Sequence, residues 1–199
     1  MKESIQYHNF SQEEGEICMK LARDALRKYT KEGQRLDVGS VDDILNKRGG
    51  VLIQIESSLG FGQLRGTGAI YDGRRISDAI IDAVIHAASE RSIGSEIHRS
   101  ELNDLIIQMS IIEKVTITKN PRNILNIGED CLIIPEKLGI WMYPKKAKKH
   151  NWSVDEYVNR TYKSSQLEQS KWDDRQVAVV KTSSFIEQNP NGVTLIDDE

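Results

Sequence analysis

Apolar residues recur at every fourth position from Ile17 through Leu21 and Ala25 to Tyr29, with Cys18 beside them. That period belongs to one face of a helix, so the pattern predicts a helix over about 12–30. Ser11-Gln12-Glu13-Glu14 supplies its start, because a serine hydroxyl and a glutamate carboxylate at this spacing satisfy the free amides of a first turn. Gly49-Gly50 then punctuates the chain before Val51-Leu52-Ile53-Gln54-Ile55, a short β-type run. The helical period returns from Ile76, where Ile80, Ile81, Val84, Ile85 and Ala88 form a stripe broad enough to lie on a sheet. Between Glu101 and Thr118, Leu105, Ile107, Met109 and Ile111 share one parity and Ile106 and Ile112 the other. This predicts a strand covered on both faces.

Asn120-Pro121 ends that strand. Cys131–Ile134 and Gly139–Tyr143 predict two more, joined around Pro135 as a hairpin. Ser153-Val154-Asp155-Glu156 repeats the capping pattern before a helix carrying Tyr157, Val158 and Thr161, and Val177–Val180 reads as a last strand. Helices and strands mix without strict alternation, so the expected class is α+β. The end, Thr194–Glu199, finishes in three acids and is expected to fray.

Composition removes some function classes. A net charge of −3 over 199 residues argues against a broad nucleic-acid-coating surface, which would be basic. No apolar run reaches the roughly 20 residues that cross a bilayer. The first ten residues, MKESIQYHNF, lack the apolar core of a secretory signal, so a cytoplasmic location is the default. Cys18 and Cys131 make neither a disulfide framework nor a CxxC pair, and Cys18 reads as a small buried side chain.

Candidate chemistry concentrates in Gly60–Tyr71, GFGQLRGTGAIY, which reads as a working loop or a tight turn between strands. A phosphate loop of the GxxxxGK[ST] type needs a lysine that is missing, and Gly60, Gly62 and Gly66 do not fit GxGxxG. What remains is a looser anion site in which Arg65 pairs with a carboxylate or phosphate, against the simpler reading of Arg65 in a structural ion pair. Thr67 stands between two glycines, but a threonine attacks nothing without an adjacent base, and the sequence designates none. His8, His86, His98 and His150 are scattered without metal-ligand spacing; His86 lies four residues after Asp82, a local pair at most. No metal and no cofactor is therefore called. Lys145, Lys146, Lys148 and Lys149, just after Trp141 and Tyr143, form the one nucleic-acid candidate, although so short a charge run usually marks a solvated helix face.

Leu64-Arg65-Gly66-Thr67-Gly68-Ala69, followed by DAIIDAVIHAAS, resembles the signature of the AMMECR domain family, whose hexapeptide is LRGCIG ahead of an alanine-rich helix. Ser100–Leu105, Met142–Ala147 and His150–Ser153 resemble further family segments in the same order, so the likeness extends from the first helix to Val180. Thr67 replaces the family cysteine, Gly68 its isoleucine and Ala69 its final glycine; the arginine-phenylalanine pair after the helix is also missing near Ile93-Gly94. A thiolate mechanism at the hexapeptide is thereby closed to this chain. The resemblance implies a mixed, largely antiparallel sheet flanked by helices in two unequal lobes, forming one domain over 1–192, while the acidic composition of 193–199 predicts a disordered tail. It also implies a surface groove at Leu64, Arg65, Gly66 and Thr67. Bacterial members of the family are associated with radical S-adenosylmethionine enzymes and with proteins resembling extradiol dioxygenases. The leading expectation is a non-catalytic binding or adaptor protein whose groove around Leu64–Ala69 uses Arg65 as its charged contact and whose occupant is a protein or a small acidic ligand. The alternatives are an enzyme acting on a small acidic or phosphorylated substrate at the same loop, and nucleic-acid binding through Lys145–Lys149.

Overall fold

The computed structural model describes residues 3–39, 42–59, 63–134, 141–142, 144–166, 175–188 and 194–196. In chain order the first elements are β1 (Glu3–Gln6), α1 (Gln12–Glu32), β2 (Val51–Ser57), β3 (Leu64–Ile70), α2 (Ile76–Ser89) and β4 (Leu105–Thr118). They are followed by β5 (Asp130–Ile133), β6 (Trp141–Met142), α3 (Pro144–Lys149), α4 (Val154–Ser164), β7 (Val177–Glu187) and β8 (Thr194–Ile196). The class is α+β, and every strand pairing with a described register is antiparallel. The chain forms two compact units of unequal size, residues 1–7 with 113–182 and residues 8–112 with 183–199. Each is described in turn.

In the larger unit α1 begins as its sequence dictates. The Glu14 amide donates to Ser11 Oγ at 3.3 Å, and the Ser11 amide to Glu14 Oε2 at 2.8 Å. The alternation of β2 and β4 places Val51, Ile53, Ile55, Leu105, Ile107, Met109 and Ile111 in one core with Ile80, Ile81, Val84 and Ala87 of α2. From α1 come Cys18, Met19, Ala22, Ala25 and Leu26. Burying each large aliphatic side chain contributes about 1.5–3 kcal/mol, so this shared stripe is the principal source of stability in the unit. Phe185 of β7 reaches the same core against Gly15, where a side-chain carbon would stand 2.0 Å from its ring. Arg23 is buried beneath, bonded to Glu187 and to the Leu102 and Leu105 carbonyls.

In the smaller unit β1 pairs with the far half of β4, and β5 lies between β6 and β7. The Leu132↔Met142 and Ile133↔Trp141 pairs are the expected hairpin; Gly139 and Tyr143 lie outside the described residues. Leu125, Leu132, Ile134, Ala147, Tyr157, Val158, Tyr162, Val177 and Val179 form the core. Ser153 caps α4, accepting from the Glu156 amide at 3.2 Å, but the Glu156 carboxylate turns to Arg160 rather than closing the box. Burial pushes the Tyr157 phenol well above its usual range.

Three expectations need correction. Leu64–Ile70 is neither loop nor turn but a strand, because its residues alternate between a buried and a half-buried face along β2. The last strand does not stop at Val180 but runs on to Glu187. Thr194–Ile196, expected to fray, pairs with Phe185–Glu187 as β8.

Candidate functional site

β3 stands at the end of the strand order, next to β2. Its period of two divides the hexapeptide between two tasks. Gly66 and Gly68 face α2. A side-chain carbon would stand 1.8 Å from the Ala87 carbonyl oxygen at Gly66, and 2.0 Å from that of Ala83 at Gly68. Only glycine allows the helix this close to the strand.

Arg65, Thr67 and Ala69 have the opposite parity. Register places Thr67 opposite Gln54, and Gln54 opposite Gln108, so three uncharged polar residues form one row across β3, β2 and β4. In the next row Ala69, Leu52 and Ser110 are aligned, and Ser110 Oγ lies 2.9 Å from Ser184 Oγ of β7. Gln54 Nε2 donates to Glu56 Oε1 at 3.3 Å, while Gln54 Oε1 is buried with no hydrogen-bond partner among the described residues. A buried carbonyl oxygen left unbonded costs about 1–3 kcal/mol, so this face carries an unmet acceptor. Glu101 and the two glutamines were not singled out in the sequence. The signal for the glutamines was there: each is a lone polar residue inside an apolar run, VLIQI and LIIQM.

Arg65 donates to Glu101 Oε2 through Nε at 2.9 Å and Nη2 at 2.6 Å, and its side chain is only 15% exposed. Glu101 Oε1 in turn accepts from the His98 amide at 2.9 Å. The guanidinium thus ties β3 to the short turn at Arg99–Asp104 and lies against Gly94, where a side-chain carbon would stand 2.8 Å from Nη1. The simpler sequence reading of Arg65, a structural ion pair, matches this geometry.

The Thr67 hydroxyl makes no hydrogen bond among the described residues. The histidines are occupied elsewhere or exposed: His8 lies 3.1 Å from both Glu14 oxygens, His98 begins the turn that Glu101 caps, and His150 stacks on Trp152. His86 is exposed, and Asp82, its neighbour at helical spacing, bonds Arg35 and Arg74 at 2.8 and 2.7 Å instead. Among the described residues no group of three histidines, cysteines or acids could hold a metal ion. Cys18 is fully buried, and loss of hydration pushes its thiol up to about 12, which makes it inert.

Lys146, Lys148 and Lys149 are exposed on α3. The side chains of Lys145 and Trp141 and all of Tyr143, like Gly60–Gly62, lie outside the described residues. Trp152 is near the run, but its ring already carries His150 at a centroid distance of 5.3 Å and the Arg160 guanidinium at 4.3 Å.

A family model, AMMECR1, matches residues 19–185. The chain belongs to the AMMECR1 family. The match begins inside α1 and ends inside β7, so β3 and its register partners all fall within it. A Halobacterium salinarum protein is 32% identical over 176 residues, spanning 84% of each chain. One from Methanococcoides burtonii is 25% identical over 171 residues, covering 81% of this chain and 82% of its own. The crystal structure of an uncharacterized protein from Pyrococcus horikoshii shares the fold with a TM-score of 0.81 at 21% identity, over 94% of this chain and 98% of that one. No helix of this AMMECR1-family chain, among the described residues, is long and apolar enough to cross a membrane.

Proposed function

We propose that the chain is a cytoplasmic binding or adaptor protein whose site is the groove around Leu64–Ala69, on the face of β3 turned away from α2. One observation carries this reading: the polar row Thr67–Gln54–Gln108 holds a hydroxyl and a buried carbonyl oxygen with no partner among the described residues. Recognition needs such groups; group transfer also needs an activating base, and none bonds Thr67 among the described residues. The occupant is a protein segment or a small acidic ligand that brings its own amide or hydroxyl donors to this row. Arg65 supports the groove without contacting the occupant, holding Glu101 and the turn at Arg99–Asp104 to the strand. Neither alternative has comparable support. The enzyme reading lacks a base at Thr67, and at the lysine run Trp152, the described aromatic ring, is already covered.

The test is affinity capture from host-cell lysate with quantitative mass spectrometry, comparing the natural chain with Thr67→Arg and Thr67→Ser. A specific partner should fall at least tenfold with Thr67→Arg and be kept by Thr67→Ser, which retains the hydroxyl. If the capture profiles of the natural chain and Thr67→Arg are identical while both melt alike, the groove is not the site.

A further inference from the structure

In the smaller unit, Leu132 and Val179 are register partners that face the core, and two residues along each strand stand Asp130 and Lys181, again partners. Here lies a cavity of about 300 Å³. Thr116 and Lys114 of β4 line it together with Ser4 of β1, the register partner of Thr116. Ile124 and Asn126, on the segment before β5, also line it. It uses no residue of the β3 groove.

Its chemistry is uneven in a way that points to a ligand. Lys114 is exposed and has no ion pair among the described residues. Lys181 is 55% exposed, and its carboxylate neighbour Glu113 is 3.8 Å away, the outer limit of an ion pair. Two ammonium groups that line one cavity repel each other unless an anion lies between them. The Thr116 and Ser4 hydroxyls make no hydrogen bond among the described residues. Asp130 is 5% exposed and is held from one side, its Oδ2 accepting from the Asn126 amide at 2.8 Å. Its burial disfavours the charged form and raises its pKa, which weakens its competition with a ligand for the lysines. Val179 and Ile124 add apolar wall.

We propose that this cavity binds a small organic anion carrying one phosphate or carboxylate group and a hydroxyl. Lys114 and Lys181 take the anionic oxygens, with Thr116 and Ser4 donating to them. Asp130 accepts from the ligand hydroxyl, and Val179 and Ile124 pack on its carbon atoms. A volume of about 300 Å³ lies at the lower end of small-molecule sites, which fits a ligand of metabolite size.

Titration of the isotope-labelled full chain with glycerol 3-phosphate, glycerate and glycerol, followed by amide NMR at low salt, tests this. The two anions distinguish the phosphate from the carboxylate class, and glycerol is the uncharged control. Saturable shifts at Thr116, Asp130 and Lys181 with at least one anion, and none with glycerol, are expected. Lys114→Gln with Lys181→Gln should weaken binding at least tenfold, and each single variant at least threefold. Both lysines are exposed, so the fold survives, as an unchanged spectrum elsewhere will show. Asp130→Asn should leave inorganic phosphate binding equal or tighter. Shifts that stay linear to high anion concentration, or saturable shifts that ignore the lysine variants, overturn the proposal.

Discussion

Gly66→Ala places one methyl group where β3 passes beneath α2. Its carbon would stand 1.8 Å from the Ala87 carbonyl oxygen, whereas real side-chain carbons essentially never come within 3.0 Å, so strand and helix must part by the difference, at least 1.2 Å. No side-chain rotation relieves the contact, because the obstacle is backbone. A radial gap of about 0.5–1 Å already forfeits a quarter to a half of a dispersion contact, and Ile80, Ile81, Val84 and Ala87 all sit fully buried along this helix. Overpacking costs about 1–3 kcal/mol, and a rigid obstacle belongs at the top of that range. Alanine also restrains the unfolded chain, which returns about 0.4–1 kcal/mol. The net expectation is a loss of about 2–2.6 kcal/mol. For a chain of this length each kcal/mol moves Tm by about 2–4 °C, so calorimetry should record a fall of roughly 4–10 °C. Thr67→Ala, one residue on and on the other face, should stay within about 1 kcal/mol of the natural protein. If Gly66→Ala instead melts within about 0.5 kcal/mol of it, α2 does not approach β3 as described, and the packing role assigned to Gly66 is wrong.

Glu187→Gln leaves Arg23 buried without its counter-ion and weakens the acceptor of the Ile107 amide at 2.9 Å, so urea denaturation should show a loss of about 3–5 kcal/mol; a loss below about 1 kcal/mol would refute the buried pair. For Asp130 the sign follows from burial. A folded pKa above the unfolded value near 3.8 contributes stability that is full below that value and is lost as pH rises through the folded pKa. Asp130→Asn should therefore raise Tm at pH 7, with the gain shrinking toward zero as pH falls below about 3.8; a gain that grows in acid contradicts this.

Elements with long apolar periods were legible from sequence. α1 and α2 carry their buried stripes and α1 its capping box in plain order, because helix burial repeats within one short segment. β3 was not legible. Two of the three residues on its buried face are Gly66 and Gly68, so the parity that marks a strand is carried mostly by absent side chains, and glycine-rich composition reads as a turn instead. The partner of Arg65 was equally hidden. Glu101 is 36 residues away in the chain, and only the turn at Arg99–Asp104 returns its carboxylate to β3. Asp82 shows the opposite failure: local spacing suggested His86, yet Arg35, 47 residues distant, and Arg74 take the carboxylate.

These assignments change how the hexapeptide should be interrogated. Within Leu64–Ala69, Gly66 is explained by the approach of α2 and Arg65 by Glu101, and neither explanation requires a ligand. Substituting either one disturbs something besides recognition. Arg65→Ala frees Glu101 and the turn it caps, and Gly66→Ala pushes the helix away from the strand. A loss of binding in those variants would not separate a contact from a scaffold. Thr67 is different: it faces away from α2, and its hydroxyl holds no internal bond among the described residues. Its row partner Gln54 has a buried oxygen with no donor among the described residues. Variation at Thr67, rather than at Arg65, is therefore the change that can tell recognition at the proposed groove from folding.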